Sequence, residues 1–143
     1  TSSGYYHIPM FFDRPILLLN CVPLAPVLSL TDKSMFLSKK YIYTNSKKKV
    51  NLIELFTFNK MMLGDLKSLK ENNITVLDNS AEDVLSATKD MMEMYNKNIK
   101  NDFLQNNNIF KKKIHAIFQN NGLKYLKILT NFPNFFIKEN LND

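Results

Sequence analysis

Apolar and polar positions along the chain alternate between two rhythms, one of strand length and one of helical period. Pro15-Ile16-Leu17-Leu18-Leu19-Asn20 is continuously apolar up to its last residue and short. That is the pattern of a strand buried on both faces, as in a parallel sheet with helices on each side. Ile74-Thr75-Val76-Leu77 predicts a second strand and Tyr41-Ile42-Tyr43 a short third. Met35 to Thr44 as a whole is ambiguous, a helical turn leading into that extended piece. Cys21 to Leu30, with Pro23 and Pro26, reads as a loop leaving the sheet.

Helical spacing fills the rest. Tyr5, Ile8, Phe11 and Phe12 predict a short helix that Asp13-Arg14-Pro15 ends, because the residue before proline is pushed out of the α region. Val50–Phe58 carries Leu52, Leu55 and Phe56 on one side, and Asn59–Asn72 carries Met62, Leu66 and Leu69. The second of these should stop at Asn72-Asn73, since asparagine accepts the left-handed conformation of a helix C-terminus. The clearest helix follows the turn Asp78-Asn79. Ser80 and Asp83 approximate a capping box, and Ala81, Val84, Leu85, Thr88, Met91, Met92 and Tyr95 fall on one face. Residues 96–108 are polar and rich in asparagine, an exposed helix or a linker. Asn108 to Gln119 reads as a helix buried through Phe110, Ile114, Ile117 and Phe118, stopped by Asn121-Gly122. Leu123–Leu129 and Phe135–Leu141 complete the chain as two short helices hinged at Phe132-Pro133.

Strands separated by helices predict a layered α/β fold with a parallel sheet, the Pro15–Asn20 strand central and parallel to Ile74–Leu77. Two or three strands make a thin sheet for two helical layers. The expectation is therefore that residues 1–143 form a single incomplete domain whose opening strands lie upstream of Thr1. A chain that starts on Thr-Ser-Ser-Gly rather than Met fits that expectation.

Composition narrows the function classes. The 143 residues suffice for one core, and 45% hydrophobic and 22% charged residues argue against wholesale disorder. No apolar run approaches the roughly 20 residues needed to cross a bilayer, and Asp13 and Arg14 interrupt the only stretch placed like a signal peptide. One cysteine, Cys21, forms no internal disulfide and fits a reducing compartment. The net charge of +6 invites a nucleic-acid reading, but all but one of the nineteen basic residues are lysine, and asparagine is about as frequent. A nucleic-acid groove more often uses arginine interleaved with aromatics. Nucleic acid is thus a weak candidate, and Lys47-Lys48-Lys49 and Lys111-Lys112-Lys113 read as solvated faces. The charge still attracts an anionic substrate or an acidic membrane surface.

The candidate site is Thr1-Ser2-Ser3-Gly4-Tyr5-Tyr6-His7. Small hydroxyl residues and a glycine just before a helix aim free N–H groups and the positive helix end at one spot, an arrangement that binds phosphate. The same residues also make an ordinary cap and turn. His7 stands one turn into the helix, within reach of a phosphate or sugar hydroxyl. Asn20, at the C-terminal end of its strand, is placed where ligands of open α/β sheets bind, and a turn-forming role suits it equally. Two histidines far apart and one cysteine give no metal-ligand spacing. Cys21 and His115 read as structural, the Met61-Met62 and Met91-Met92 pairs as core filler. Lys39 and Lys40 read as solvated, though either is near enough to reach a phosphate.

Ser3-Gly4-Tyr5-Tyr6-His7-Ile8-Pro9, followed by Asp13-Arg14-Pro15-Ile16-Leu17-Leu18-Leu19, resembles the donor-site signature of heptosyltransferase-type glycosyltransferases. That signature runs Asp, Ser or Thr, Gly, Pro, any residue, His, an apolar helix, then Gly-x-Pro and a buried strand. The whole chain is similar to the C-terminal part of a family of bacterial surface-polysaccharide glycosyltransferases. The likeness is carried by Asn20-Cys21-Val22-Pro23-Leu24, by Asp32 to Lys39, by Asn72-Asn73-Ile74, by Asp78-Asn79-Ser80-Ala81-Glu82-Asp83-Val84, and by Phe132 to Lys138. Ser2 stands where the heptosyltransferase-type signature has its acid, and Tyr5 where it has its proline; Asn73 replaces a family glycine. The resemblance implies a GT-B architecture, two Rossmann-like halves, with this chain as the later part of the donor-binding half. It implies a nucleotide sugar as substrate, no cofactor, and donor contacts from Thr1, Ser2, Ser3, Gly4, Tyr5, His7 and Asn20. It also implies a glycan or lipid-linked acceptor, the N-terminal half of the same protein as partner, and a cytoplasmic location, either free or peripheral at the inner membrane face. A catalytic base commonly comes from the other half in such enzymes. The alternative, of another class, is a non-catalytic nucleotide-binding or interaction module whose basic surface meets nucleic acid or anionic membrane.

Overall fold

The computed structural model describes residues 7–56, 64–97, 101–123 and 125–141. In chain order these form α1 (His7–Phe11), β1 (Ile16–Cys21), β2 (Ser34–Ser38), β3 (Lys40–Tyr43), α2 (Leu52–Leu55), α3 (Leu66–Glu71), β4 (Ile74–Leu77), α4 (Ala81–Tyr95), α5 (Asn101–Asn120) and α6 (Asn134–Leu141). A short 3-10 turn, Ala25–Leu28, lies in the loop between β1 and β2. The class is mixed α/β.

The sheet differs from the expected one. β1 does pair in parallel, but with β2; β4 pairs antiparallel with β3. β2 is the strand that the pattern missed. Ser34-Met35-Phe36-Leu37-Ser38 is buried at every position, and its apolar run of three is too short to separate strand from helix by period. It holds the centre because both its edges are paired: β1 lies on one, and on the other Phe36 N–H donates to Asn131 O (2.9 Å) while Asn131 N–H donates to Ser34 O (2.8 Å). β1, expected at the centre, is only half-buried beyond Ile16. One residue, Lys39, separates β2 from β3, so a nearly continuous ribbon carries β1 along its first half and β4 along its second.

Period-two alternation sorts β2 between two layers. Met35 joins Met91 of α4 and Phe103 of α5, with Leu17 of β1 beside them. Phe36 packs instead into an aromatic cluster with Phe56, Phe110, Phe132 and Phe136, where α5 and α6 contribute the far side. Asn107, fully buried on α5, fastens the chain there. Its Nδ2 donates to Phe103 O (3.2 Å) and Phe132 O (3.1 Å), and its Oδ1 accepts from Phe132 N–H (2.8 Å).

Several local readings hold. β4 and α4 have the expected limits, and the Ser80–Asp83 capping box is formed in both directions. α3 ends with Asn73 at φ 54°, the left-handed residue its pair of asparagines suggested. The asparagine-rich stretch from 101 onward is helix, continuous with the expected Asn108–Gln119 segment and buried through Phe103 and Asn107, so it is neither linker nor wholly exposed. Leu123–Leu129 has no helix among its described residues. Residues 57–63 lie outside the described residues, and with them the end of the expected Val50 helix, the start of the next, and Met61-Met62. On α4, Met91 and Ala87 are buried, while Leu85, Met92 and Tyr95 of the expected core face are more than half exposed. The helix forms as expected, but its buried face is displaced from the expected one: Ala81 is exposed as well, and Ala87, which that face leaves out, is buried.

Candidate functional site

Of the sequence-derived site, Thr1, Ser2, Ser3, Gly4 and Tyr5 lie outside the described residues. His7 is exposed at the start of α1. Asn20 sits where β1 stops matching β2: Leu19 pairs with Leu37 and Cys21 with Ser38, so Asn20 is the extra residue of a bulge, with φ 52°. A bulge re-aims the side chain it carries. Asn20 Oδ1 accepts from the backbone N–H of Asn79 (2.8 Å) and from its Nδ2 (2.7 Å), and the same Nδ2 donates to Ser38 O (2.7 Å). The ends of β1, β2 and β4 and the first turn of α4 therefore meet at one polar knot. The sequence marks Asn79 as a turn residue, and nothing local in it points to Asn20, 59 positions away, as its partner.

The lysines at this knot are not simply solvated. Lys39 pairs with Asp78 at 2.8 Å and Lys40 with Asp83 at 2.6 Å, each lysine about a third exposed (30% and 32%). Partial desolvation pushes the Asp83 carboxyl up, but hydrogen bonds from Lys40 and Ser80 outweigh it and hold the group below its ordinary range. The knot offers cations and N–H groups held in place, with two carboxylates already balancing them. Cys21, half-buried beside it, has its thiol pushed up by desolvation and remains protonated, so it is no poised nucleophile.

Two concave surfaces lie elsewhere. A cleft of ≈ 330 Å³ is lined by Asp13, Arg14 and Pro15 ahead of β1, Asp32 and Lys33 ahead of β2, and Met94, Tyr95 and Lys97 at the end of α4. Asp13 and Lys33 neutralise each other there. A second cleft, of ≈ 300 Å³, lies between α5 and residues 127–129 and is basic. On its rim Lys111 is half-buried, with Nζ donating to Leu129 O (2.8 Å) and Asn131 Oδ1 (2.9 Å). This departs from the solvated-face reading of Lys111. The signal for it was available, since Asn108, Lys111, Lys112 and His115 share one helical stripe. Among the described residues no group of side chains is suited to a metal ion, and no helix is long and apolar enough to cross a membrane.

Two desolvated groups, half-buried Lys111 and buried Tyr41, give the fold an alkaline signature. Burial lowers Lys111 from 10.5 to about 8, against a smaller opposing pull from Asp32. Between those values the unfolded chain binds the extra proton, so stability should rise with pH from about 8 toward 10.5. Both hydrogen bonds survive, because a neutral amine still donates two. Tyr41 acts in the opposite sense: desolvation, then Cys21 nearby, pushes its phenol above the ordinary 10.0. The unfolded chain ionises first, so stability falls as pH rises beyond 10. Denaturation midpoints should therefore climb from pH 8 to a maximum near pH 10, and Lys111→Met should remove the rising limb. A midpoint that declines steadily from pH 7 would contradict this assignment.

Compared with protein-family models, with curated proteins and with solved structures, the chain matches none.

Proposed function

We propose that the chain is the donor-binding part of a GT-B-type glycosyltransferase, holding the diphosphate of a nucleotide-activated sugar for transfer to a surface glycan or lipid-linked acceptor. One observation carries the reading furthest: the parallel pair β1–β2 ends at Cys21 and Ser38, and the Asn20 bulge just before that end is tied to Asn79 at the start of α4. Ligands of open α/β sheets bind beyond such strand ends. Three of the five segments that resemble the glycosyltransferase family, Asn20 to Leu24, Asp32 to Lys39 and Asp78 to Val84, meet at this knot. In this reading Thr1 to Tyr5 supply phosphate-facing N–H and hydroxyl groups, and His7 and Asn20 border the same donor. Lys39 and Lys40 stand beside it, their charge balanced by Asp78 and Asp83 until a donor competes for them. The Rossmann-like form of the complete half, and an N-terminal half covering apolar residues such as Leu85 and Met92, belong to the same proposal.

The test is calorimetric titration of the chain with UDP, GDP, ADP and CDP, in wild type and two variants. Gly4→Val should block close approach of the diphosphate. Ser3→Ala should weaken binding by about 1.5–3 kcal/mol, the worth of a hydrogen bond to a charged group. A nucleotide that binds wild type and both variants alike would place the donor site elsewhere. Binding of none of the four, by this chain or by one extended upstream of Thr1, would remove the glycosyltransferase reading.

A further inference from the structure

We propose that the basic cleft between α5 and residues 127–129 is a separate ligand site that takes a phosphoryl group on Lys112 and Lys127, with Lys111 and His115 lining it. It rests on its own observations and does not depend on the donor-site reading.

The helical period places Asn108, Lys111, Lys112 and His115 at i, i+3, i+4 and i+7 of α5, one stripe facing Lys127, Ile128 and Leu129 across the cleft. Three lysines and no carboxylate line it. None of the three takes part in an ion pair among the described residues. Nor is the imidazole satisfied. His115 Nε2 is buried and has no hydrogen-bond partner among the described residues, a rare condition that calls for a specific explanation. Lys111 is fastened by Leu129 O and Asn131 Oδ1, so it supplies a fixed charge behind the cleft. Lys112 and Lys127 are exposed and supply the flexible ones.

A concave surface with three ammonium groups and no carboxylate attracts an anion. A phosphoryl group, with up to two charges and three acceptor oxygens, matches the number and kind of donors better than a carboxylate does. Lysine binds phosphate as a point charge and needs no bidentate fork. Ile128 and Leu129 add an apolar wall, which suits a phosphoryl group carried on an apolar body.

Charge on Lys111 also links the site to pH. Burial brings this group to about 8, and it faces Lys112 and His115 on its own helix, Lys127 across the cleft and Asp32 from the loop before β2. Affinity should therefore fall as pH rises through about 8.

Two titrations of the 143-residue chain separate the sources of the group. Inorganic pyrophosphate probes a free phosphoryl ligand. Phosphatidylcholine vesicles with and without phosphatidic acid probe a lipid headgroup. The ring resonances of His115 report binding locally. Binding in at least one arm is expected, weakened at least about tenfold by Lys112→Gln and by Lys127→Gln. Lys112→Arg should restore it, and Lys67→Gln, at a side chain 85% exposed on α3, should leave it unchanged. Lys112 and Lys127 are surface residues, so both variants should fold. Binding in neither arm, binding insensitive to both substitutions, or equal weakening by Lys67→Gln would overturn the proposal.

Discussion

Replacing Phe132 with alanine is expected to destabilise the protein by about 3–5 kcal/mol, the range for emptying a buried aromatic site. Its ring is fully buried and central to the aromatic cluster. It meets Phe110 edge-on at 4.9 Å, Phe36 at 6.3 Å and Phe56 at 6.4 Å, and stacks on Phe136 at 5.9 Å. Each such pair contributes roughly 0.5–1.5 kcal/mol beyond area burial. Those partners come from β2, from the residue after α2, from α5 and from α6, so the cavity would lie where all four converge. Collapse into it is further restricted because Asn107 holds the Phe132 backbone at both its N–H and its carbonyl. Against a total stability of about 5–15 kcal/mol for an ordinary domain, the loss is large. Urea denaturation measures it. Phe132→Leu, which keeps much of the volume, should lose less, and a loss under about 1 kcal/mol in the alanine variant would mean that the cluster is not cooperative.

Asn20→Ala should cost about 2–5 kcal/mol, from two separable sources. Alanine at φ 52° meets the left-handed penalty, about 1–2 kcal/mol, that asparagine softens with its short polar side chain. Losing Oδ1 also leaves the Asn79 N–H without its partner, worth about 1–3 kcal/mol for a group removed from water. Asn20→Gly separates the two. Glycine adopts the left-handed conformation freely, so it should recover the backbone part and keep only the hydrogen-bond part. If the glycine and alanine variants are equally destabilised, the strain argument fails; if glycine matches wild type, the knot with Asn79 contributes little. The pair also bears on the donor proposal. A nucleotide affinity that falls in Asn20→Gly while the fold stays intact would show Asn20 acting on ligand as well as on Asn79.

What the sequence determined by itself is local. The capping box of Ser80 and Asp83, the left-handed Asn73, the limits of β4 and the helical period of α4 all depend on residues within a turn or two of one another. For those, backbone sterics and short-range hydrogen bonds suffice, and both are readable from residue type. The continuous apolar run Ile16–Leu19 was legible as a strand for the same reason. Which strand it would lie beside was not. Ser34–Ser38 takes the centre because Asn131, almost a hundred positions later, pairs its far edge and turns its polar side chain onto Asp32 O at 2.7 Å. Asn20 as a bulge tied to Asn79, Asn107 as a buried clamp, and the reach of Lys111 to Leu129 and Asn131 are likewise decided by tertiary structure. An asparagine or a lysine has no local preference strong enough to announce such a role. Their burial is paid by partners distant in sequence, and only the folded chain selects those partners from the many equivalent asparagines and lysines that this composition provides.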